Sequence, residues 1–287
     1  MPFEWQGYKG EVFCRVVGDK LRETKTGVPP VLLVGNPGVG YDYLENLEVA
    51  TVSDRRVIEV TFAGTRGDVP AAVRSVEACA AQLEAVCRTL ELSAVHVLAH
   101  GLGAPPALQL LQSAQAPTPR VPLRSLTLVS PYGSLDDLRA AARPAAGAKA
   151  LLPLPTSDAK APQSCIADAT ASTAARPWLD AVAAGGASLG GDALVRLLQP
   201  ASAARVAALV VWGGDADVVE PTWDVAALQK ANVNLRVYER SGHLPFIEQR
   251  EEFLGEYLDF LDAADGVKTS RELILDPSID AIKSKSI

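Results

Sequence analysis

The chain has 287 residues, 48% of them hydrophobic, and a formal net charge of −7. That is ample apolar material for one large α/β domain or two small ones and excludes a disordered chain. The acidic balance leaves no basic surplus of the kind nucleic acid or an anionic membrane surface requires.

No apolar run reaches the roughly 18 residues of a spanning helix. The opening MPFEWQGYKG has neither the charged and apolar blocks of a signal peptide nor the Arg/Ser richness of a transit peptide. Cys14, Cys79, Cys87 and Cys165 show no CxxC pairing and are too sparse for a disulfide scaffold. A reducing compartment is expected, either cytoplasm or an organellar lumen or matrix.

Taken in chain order, residues 3–17 alternate enough for a leading hairpin. The β-branched run 28–34 (VPPVLLV) then reads as a buried strand, stopped by the turn residues Gly35-Asn36-Pro37-Gly38. A helical stretch is predicted at 42–50, a strand at 56–60 and a long helix at 71–90. A strand at 94–98 (AVHVL) leads through a Gly-rich turn into a helix at 105–112, and another strand follows at 123–129. From 134 to 200 the composition turns to Ala, Gly and Pro, too poor in large apolar residues for a core of its own but suited to a helical cap. Strand 207–212 (AALVVW), helix 222–230, strand 234–238 and helix 249–261 resume the alternation. Strands alternating with helices imply a mostly parallel sheet covered on both faces.

Four segments stand in a telling order. Gly35-Asn36-Pro37-Gly38, continued by Tyr41-Asp42-Tyr43-Leu44, follows the first buried strand. Ala99-His100-Gly101-Leu102-Gly103-Ala104 joins a strand to a helix. Trp212-Gly213-Gly214-Asp215-Ala216-Asp217-Val218-Val219 closes a later strand, and Ser241-Gly242-His243 follows the last one. Together they resemble the α/β-hydrolase fold family, in its proline iminopeptidase, esterase and haloperoxidase-like branch, over roughly residues 28–262. Any one of these motifs alone would be weak; their order is specific, because this fold delivers nucleophile, acid and histidine in that sequence.

The resemblance implies a doubly wound sheet of about eight strands. Residues 1–133 and 201–264 would form the hydrolase core, 134–200 an inserted lid and 265–287 a C-terminal arm. It also implies roles. Position 101 would carry the nucleophile on a sharp turn with small neighbours, and His243 the base. Asp217 would be the acid, with Asp215 in reserve because the extra glycine of WGGDAD blurs the register. The backbone N–H groups of Asn36 and Leu102 would be the oxyanion donors.

The departures from the family pattern shape the functional expectation. Position 101 is glycine, which offers no hydroxyl for an acyl intermediate. The family's oxyanion-loop histidine is Val34, the aspartate usual after the next strand is Thr61, and a glycine of the following turn is Arg66. The expectation is a catalytically silent relative, a pseudoenzyme. It would serve as an accessory or structural subunit with protein partners in a larger assembly, or bind a small apolar ligand under the lid.

Against this stands a water-activating pair of His243 and Asp217, which would make the chain a residual or repurposed hydrolase, or a lyase, with no covalent intermediate. A nucleotide-binding loop at 35–40, with Glu59 on a ribose, is disfavoured by Pro37, by the spacing and by the missing GK[ST]. His100 is expected to pack structurally and His96 to be a satisfied core residue. Three histidines without HxH or HExxH spacing give a metal little to bind, so neither metal nor cofactor is expected.

Overall fold

The computed structural model describes residues 1–20, 27–36, 49, 53, 55–65, 69–114, 121, 123–133, 188–190, 192–214, 225–231 and 233–267. The chain opens with an antiparallel hairpin of β1 (Pro2–Trp5) and β2 (Tyr8–Glu11). The alternation seen over 3–17 therefore splits in two, because β3 (Phe13–Val17) leaves the hairpin and joins the main sheet.

That sheet contains β3, β4 (Val31–Val34), β5 (Val57–Thr61), β6 (Val95–His100), β7 (Leu123–Val129), β8 (Ala207–Gly213) and β9 (Val233–Tyr238). Their order across it is β3-β5-β4-β6-β7-β8-β9. Only the β3–β5 pairing is antiparallel. Every residue of β4 and β6 is buried, as a parallel strand covered on both faces demands.

The helices follow from local signals. The long helix expected at 71–90 is broken at Ser75: a 3-10 turn covers Ala71–Arg74, and α1 (Val76–Thr89) starts afresh. Ser75 is extended (φ −83°, ψ 161°), and its side chain accepts from the Ala78 N–H, an N-cap that restarts the helix. Helix α2 (Ala104–Ser113) carries two prolines in its first turn, where the missing N–H groups would have no helical acceptor.

Helix α3 (Ala193–Ala204) runs across residue 200, where the composition suggested that the lid ends. Its Leu194, Leu198 and Ala201 are buried in the same core as the sheet. Residues 134–187, which hold most of the expected lid, lie outside the described residues. Short α4 (Val225–Lys230), the single turn α5 (Pro245–Glu248) and α6 (Arg250–Ala264) complete the elements among the described residues.

The strand order fixes where a site can be. From β4 the chain moves outward to β5, whereas from β6 it moves the other way to β7, so β4 and β6 flank the point where the winding reverses. In such sheets the crevice for ligands opens beyond the carboxyl ends of those two strands. Asn36 follows β4 and Gly101 follows β6.

Candidate functional site

Gly101 sits on the turn between β6 and α2 with φ +57°, a left-handed conformation that costs glycine nothing and other residues a good deal. A 3-10 turn over Gly101–Gly103 carries the chain into α2. Gly103 is required for a different reason: a Cβ there would run into the Val34 carbonyl and lie 2.9 Å from the Gly35 carbonyl oxygen. The turn is thus pressed against the end of β4, which brings Asn36 beside Gly101.

Asn36 is buried, and its Oδ1 accepts from the Leu102 N–H at 2.6 Å. A Cβ on Gly101 would collide with that same Oδ1 and stand 3.2 Å from Asn36 Cγ and 3.1 Å from Tyr132 Cε1. The Asn36 Nδ2 is buried and has no hydrogen-bond partner among the described residues. The sequence pointed to the backbone N–H of Asn36 and to an open Leu102 N–H as oxyanion donors. The Leu102 N–H is instead already taken by the Asn36 side chain. A buried N–H at the start of a helix has no intrahelical acceptor and needs one from elsewhere; with no side chain at 101, the carboxamide has room to supply it.

His243 arrives on the loop after β9, the last strand in the order across the sheet. It is 3% exposed, with its ring centroid 4.6 Å from that of His100 and 6.1 Å from that of Tyr132. The His100 Nε2–H donates to the His243 carbonyl oxygen at 3.1 Å, which fixes the His100 tautomer and ties the turn to the histidine loop. Phe246 packs edge-on against His100 with centroids 5.4 Å apart.

The loop is clamped from behind. Glu248 accepts from the Gly242 N–H at 2.8 Å and the Leu244 N–H at 3.1 Å, while Gln249 Oε1 accepts from the Arg240 N–H at 2.9 Å and the Ser241 hydroxyl at 3.1 Å. Gly213, at the end of β8, is packed so tightly that a Cβ would run into the carbonyl oxygens of Gly242 and Ser241.

Gly101, Leu102, Asn36 and His243 therefore gather at the carboxyl edge of the sheet. Asp215, Asp217 and Arg66, with residues 37–44, lie outside the described residues. Val34 ends β4 as the sequence suggested, whereas Thr61, expected just after a strand at 56–60, is the last residue of β5.

Tyr132 was not singled out by the sequence. Its signal was available: Ser130-Pro131-Tyr132-Gly133 follows a strand whose carboxyl end falls on this edge, and the Tyr132 N–H donates to the Gly101 carbonyl at 3.4 Å. Among the described residues no cluster of His, Cys, Asp and Glu is gathered for a metal, and no helix is long and apolar enough to cross a membrane.

Residues 31–256 match the sequence profile of the alpha/beta hydrolase family. The chain belongs to that family. Among solved structures, the α/β-hydrolase fold recurs in a proline iminopeptidase from Mycobacterium smegmatis, which superposes with a TM-score of 0.62 at 18% identity, covering 92% of this chain and 98% of that one. A thermophilic esterase from Thermogutta terrifontis gives 0.65 at 18%, with the same coverage of 92% and 98%. A carboxylesterase from Bacillus subtilis gives 0.59 at 16%, covering 91% and 90%. At such identities the likeness is one of fold. No curated protein matches the sequence.

His96, at the opposite end of β6, belongs to a separate buried network. Its Nδ1 is 2.8 Å from Ser125 Oγ, and its Nε2 is 3.2 Å from Asp265 Oδ2 and 3.1 Å from Arg55 Nη1. Burial pushes its pKa below the ordinary histidine value despite the Asp265 carboxylate.

Proposed function

We propose that this α/β-hydrolase is catalytically silent, a pseudoenzyme kept as an accessory or structural subunit of a larger assembly or as a binder of a small apolar ligand. The observation that carries the reading is Gly101 at the left-handed strand-to-helix turn, where this fold carries its nucleophile and where this chain has no side chain. Acyl transfer by this fold needs a hydroxyl within reach of the imidazole, and removing a triad nucleophile costs on the order of 10⁶ in turnover in a well-studied protease. Val34, Thr61 and Arg66 depart from the family pattern as well, so the change at 101 does not stand alone. Under this reading His243 persists as a structural group, with Asp217 its remnant acid partner.

A second reading has an observation in its favour: the clamp on the His243 loop is the kind of support a working base would need. His243 and Asp217 would then activate water in a residual or repurposed hydrolase, acting on esters or N-terminal peptide bonds, or serve a lyase.

Turnover of short-chain p-nitrophenyl esters and aminoacyl arylamides by the native protein separates the two. Silence predicts rates equal to buffer that His243→Ala leaves unchanged. Turnover that disappears with His243→Ala overturns the silent reading in favour of the dyad.

A further inference from the structure

We infer that Asn36 closes the oxyanion hole from within, its carboxamide oxygen standing in for a substrate carbonyl, so that Gly101 and Asn36 form one interlocked silencing pair. This deepens the silent reading and rests on it only for the identity of position 101.

Two independent constraints meet at the Asn36 side chain. Its Oδ1 takes the Leu102 N–H at 2.6 Å, the donor that follows the nucleophile position and would polarise an incoming carbonyl. The same atom also occupies the volume that any side chain at 101 would have to enter. A glycine at 101 lets the carboxamide in, and the carboxamide then excludes both a nucleophile and a ligand oxygen. Asn36 lies at the carboxyl end of β4 and Gly101 at that of β6, so adjacent strands hold the pair together. With Asn36 2% exposed, the carboxamide is held within the packed interior of the site.

Restoring the serine alone therefore cannot restore the site. Gly101→Ser would bring its Cβ into Asn36 Oδ1; Asn36→Gly clears the space and frees the Leu102 N–H together.

The first experiment needs no activity. Gly101-Leu102 is the single Gly-Leu step in the sequence. Protein labelled with carbonyl-¹³C glycine and ¹⁵N leucine thus shows the Leu102 amide as one resolved correlation. In Asn36→Ala that resonance is expected to move upfield and its hydrogen exchange to accelerate about tenfold or more, as loss of its one acceptor requires. An unchanged resonance and rate overturn the proposal.

The second is a stability cycle. Gly101→Ser should lower the melting temperature by roughly 4 °C or more in the native background and by clearly less in Asn36→Gly, since overpacking is relieved there. Equal losses in both backgrounds also overturn it.

The third reads chemistry with an alkyl fluorophosphonate. In labelling, a serine oxygen–phosphorus bond forms, the P–F bond breaks, fluoride leaves, and the hydroxyl proton passes to His243. Gly101→Ser is expected to stay unlabelled and Asn36→Gly/Gly101→Ser to gain the label, with loss on adding His243→Ala. Full labelling of Gly101→Ser alone overturns the plug. If the double variant stays unlabelled while the amide and stability results come out as expected, the plug stands. The failure then falls on the assignment of position 101 and His243 as remnants of a triad.

Discussion

Glu248 grips the chain on both sides of His243, accepting from the Gly242 N–H at 2.8 Å and from the Leu244 N–H at 3.1 Å. One carboxylate thereby sets the direction in which the histidine leaves the backbone. It does so whether or not the imidazole has chemistry left to perform.

Glu248→Ala strands both part-buried donors, and hydrogen bonds to a charged acceptor are the stronger kind. The expected loss is about 2 kcal/mol in urea unfolding, with faster exchange at the Gly242 and Leu244 amides. Glu248→Gln keeps one acceptor oxygen and should recover part of both. If Glu248→Ala unfolds at the native midpoint, the clamp is not what holds the loop.

Gly213 tests the same loop from the front. Its missing Cβ lets β8 press against the Ser241 and Gly242 carbonyls, which are backbone atoms that cannot rotate away. Gly213→Ala should cost about 3 kcal/mol, the upper end of ordinary overpacking. It should also shift the His243 ring resonances by displacing the loop. A variant as stable as the native protein would show that the loop yields.

Much of this architecture was legible in the sequence because it is local. Strand β7 and the cores of β4, β5, β6, β8 and β9 follow from short β-branched runs, and the order of the turns identified the family. What was not legible is what depends on partners far apart in sequence. Ser75 restarts a helix inside an unbroken apolar periodicity, which amphipathic spacing cannot reveal. The Asn36 side chain reaches an amide 66 residues away, a contact that its position in a turn after a strand does not reveal. Arg55 reads as a polar residue before a strand, yet it is 3% exposed and bonds Asp262 and Asp265, more than two hundred residues downstream.

That arginine gives a third prediction. Arg55 Nη2 donates to Asp262 at 2.8 Å and Nη1 to Asp265 at 2.7 Å, tying the end of α6 beneath the sheet. Arg55→Met removes the charge while keeping some of the volume and leaves the partly buried Asp265 carboxylate beside His96 without its arginine. The expected cost is about 3 kcal/mol, the lower end for breaking a buried ion pair because Asp262 is half open to water. Chemical unfolding measures it. The Arg55→Met/Asp265→Asn double variant should lose less than the two single losses combined, since the residues share one network. Simple additivity would contradict that.

The same network predicts how stability varies with pH. Burial holds the His96 pKa below its ordinary value of 6.5, against the pull of Asp265. The folded protein thus keeps His96 neutral at pH values where the unfolded chain takes up a proton. The stabilisation is complete above about 6.5 and is lost as pH falls through that value towards the lower folded pKa, at no more than about 1.4 kcal/mol per pH unit for one proton. Burial also pushes Asp265 up, but hydrogen bonds and charge from His96 and Arg55 outweigh it and hold the carboxyl below 3.8. Its share is therefore present at neutral pH and is lost only in stronger acid. Urea midpoints taken from pH 7.5 down to 3 should fall, and His96→Gln, which keeps hydrogen-bonding groups but cannot titrate, should flatten the fall between 6.5 and 5 while leaving the steeper loss below pH 4. If His96→Gln follows the native curve between pH 6.5 and 5, the slope there belongs to other groups and the buried network is not the source of the acid sensitivity.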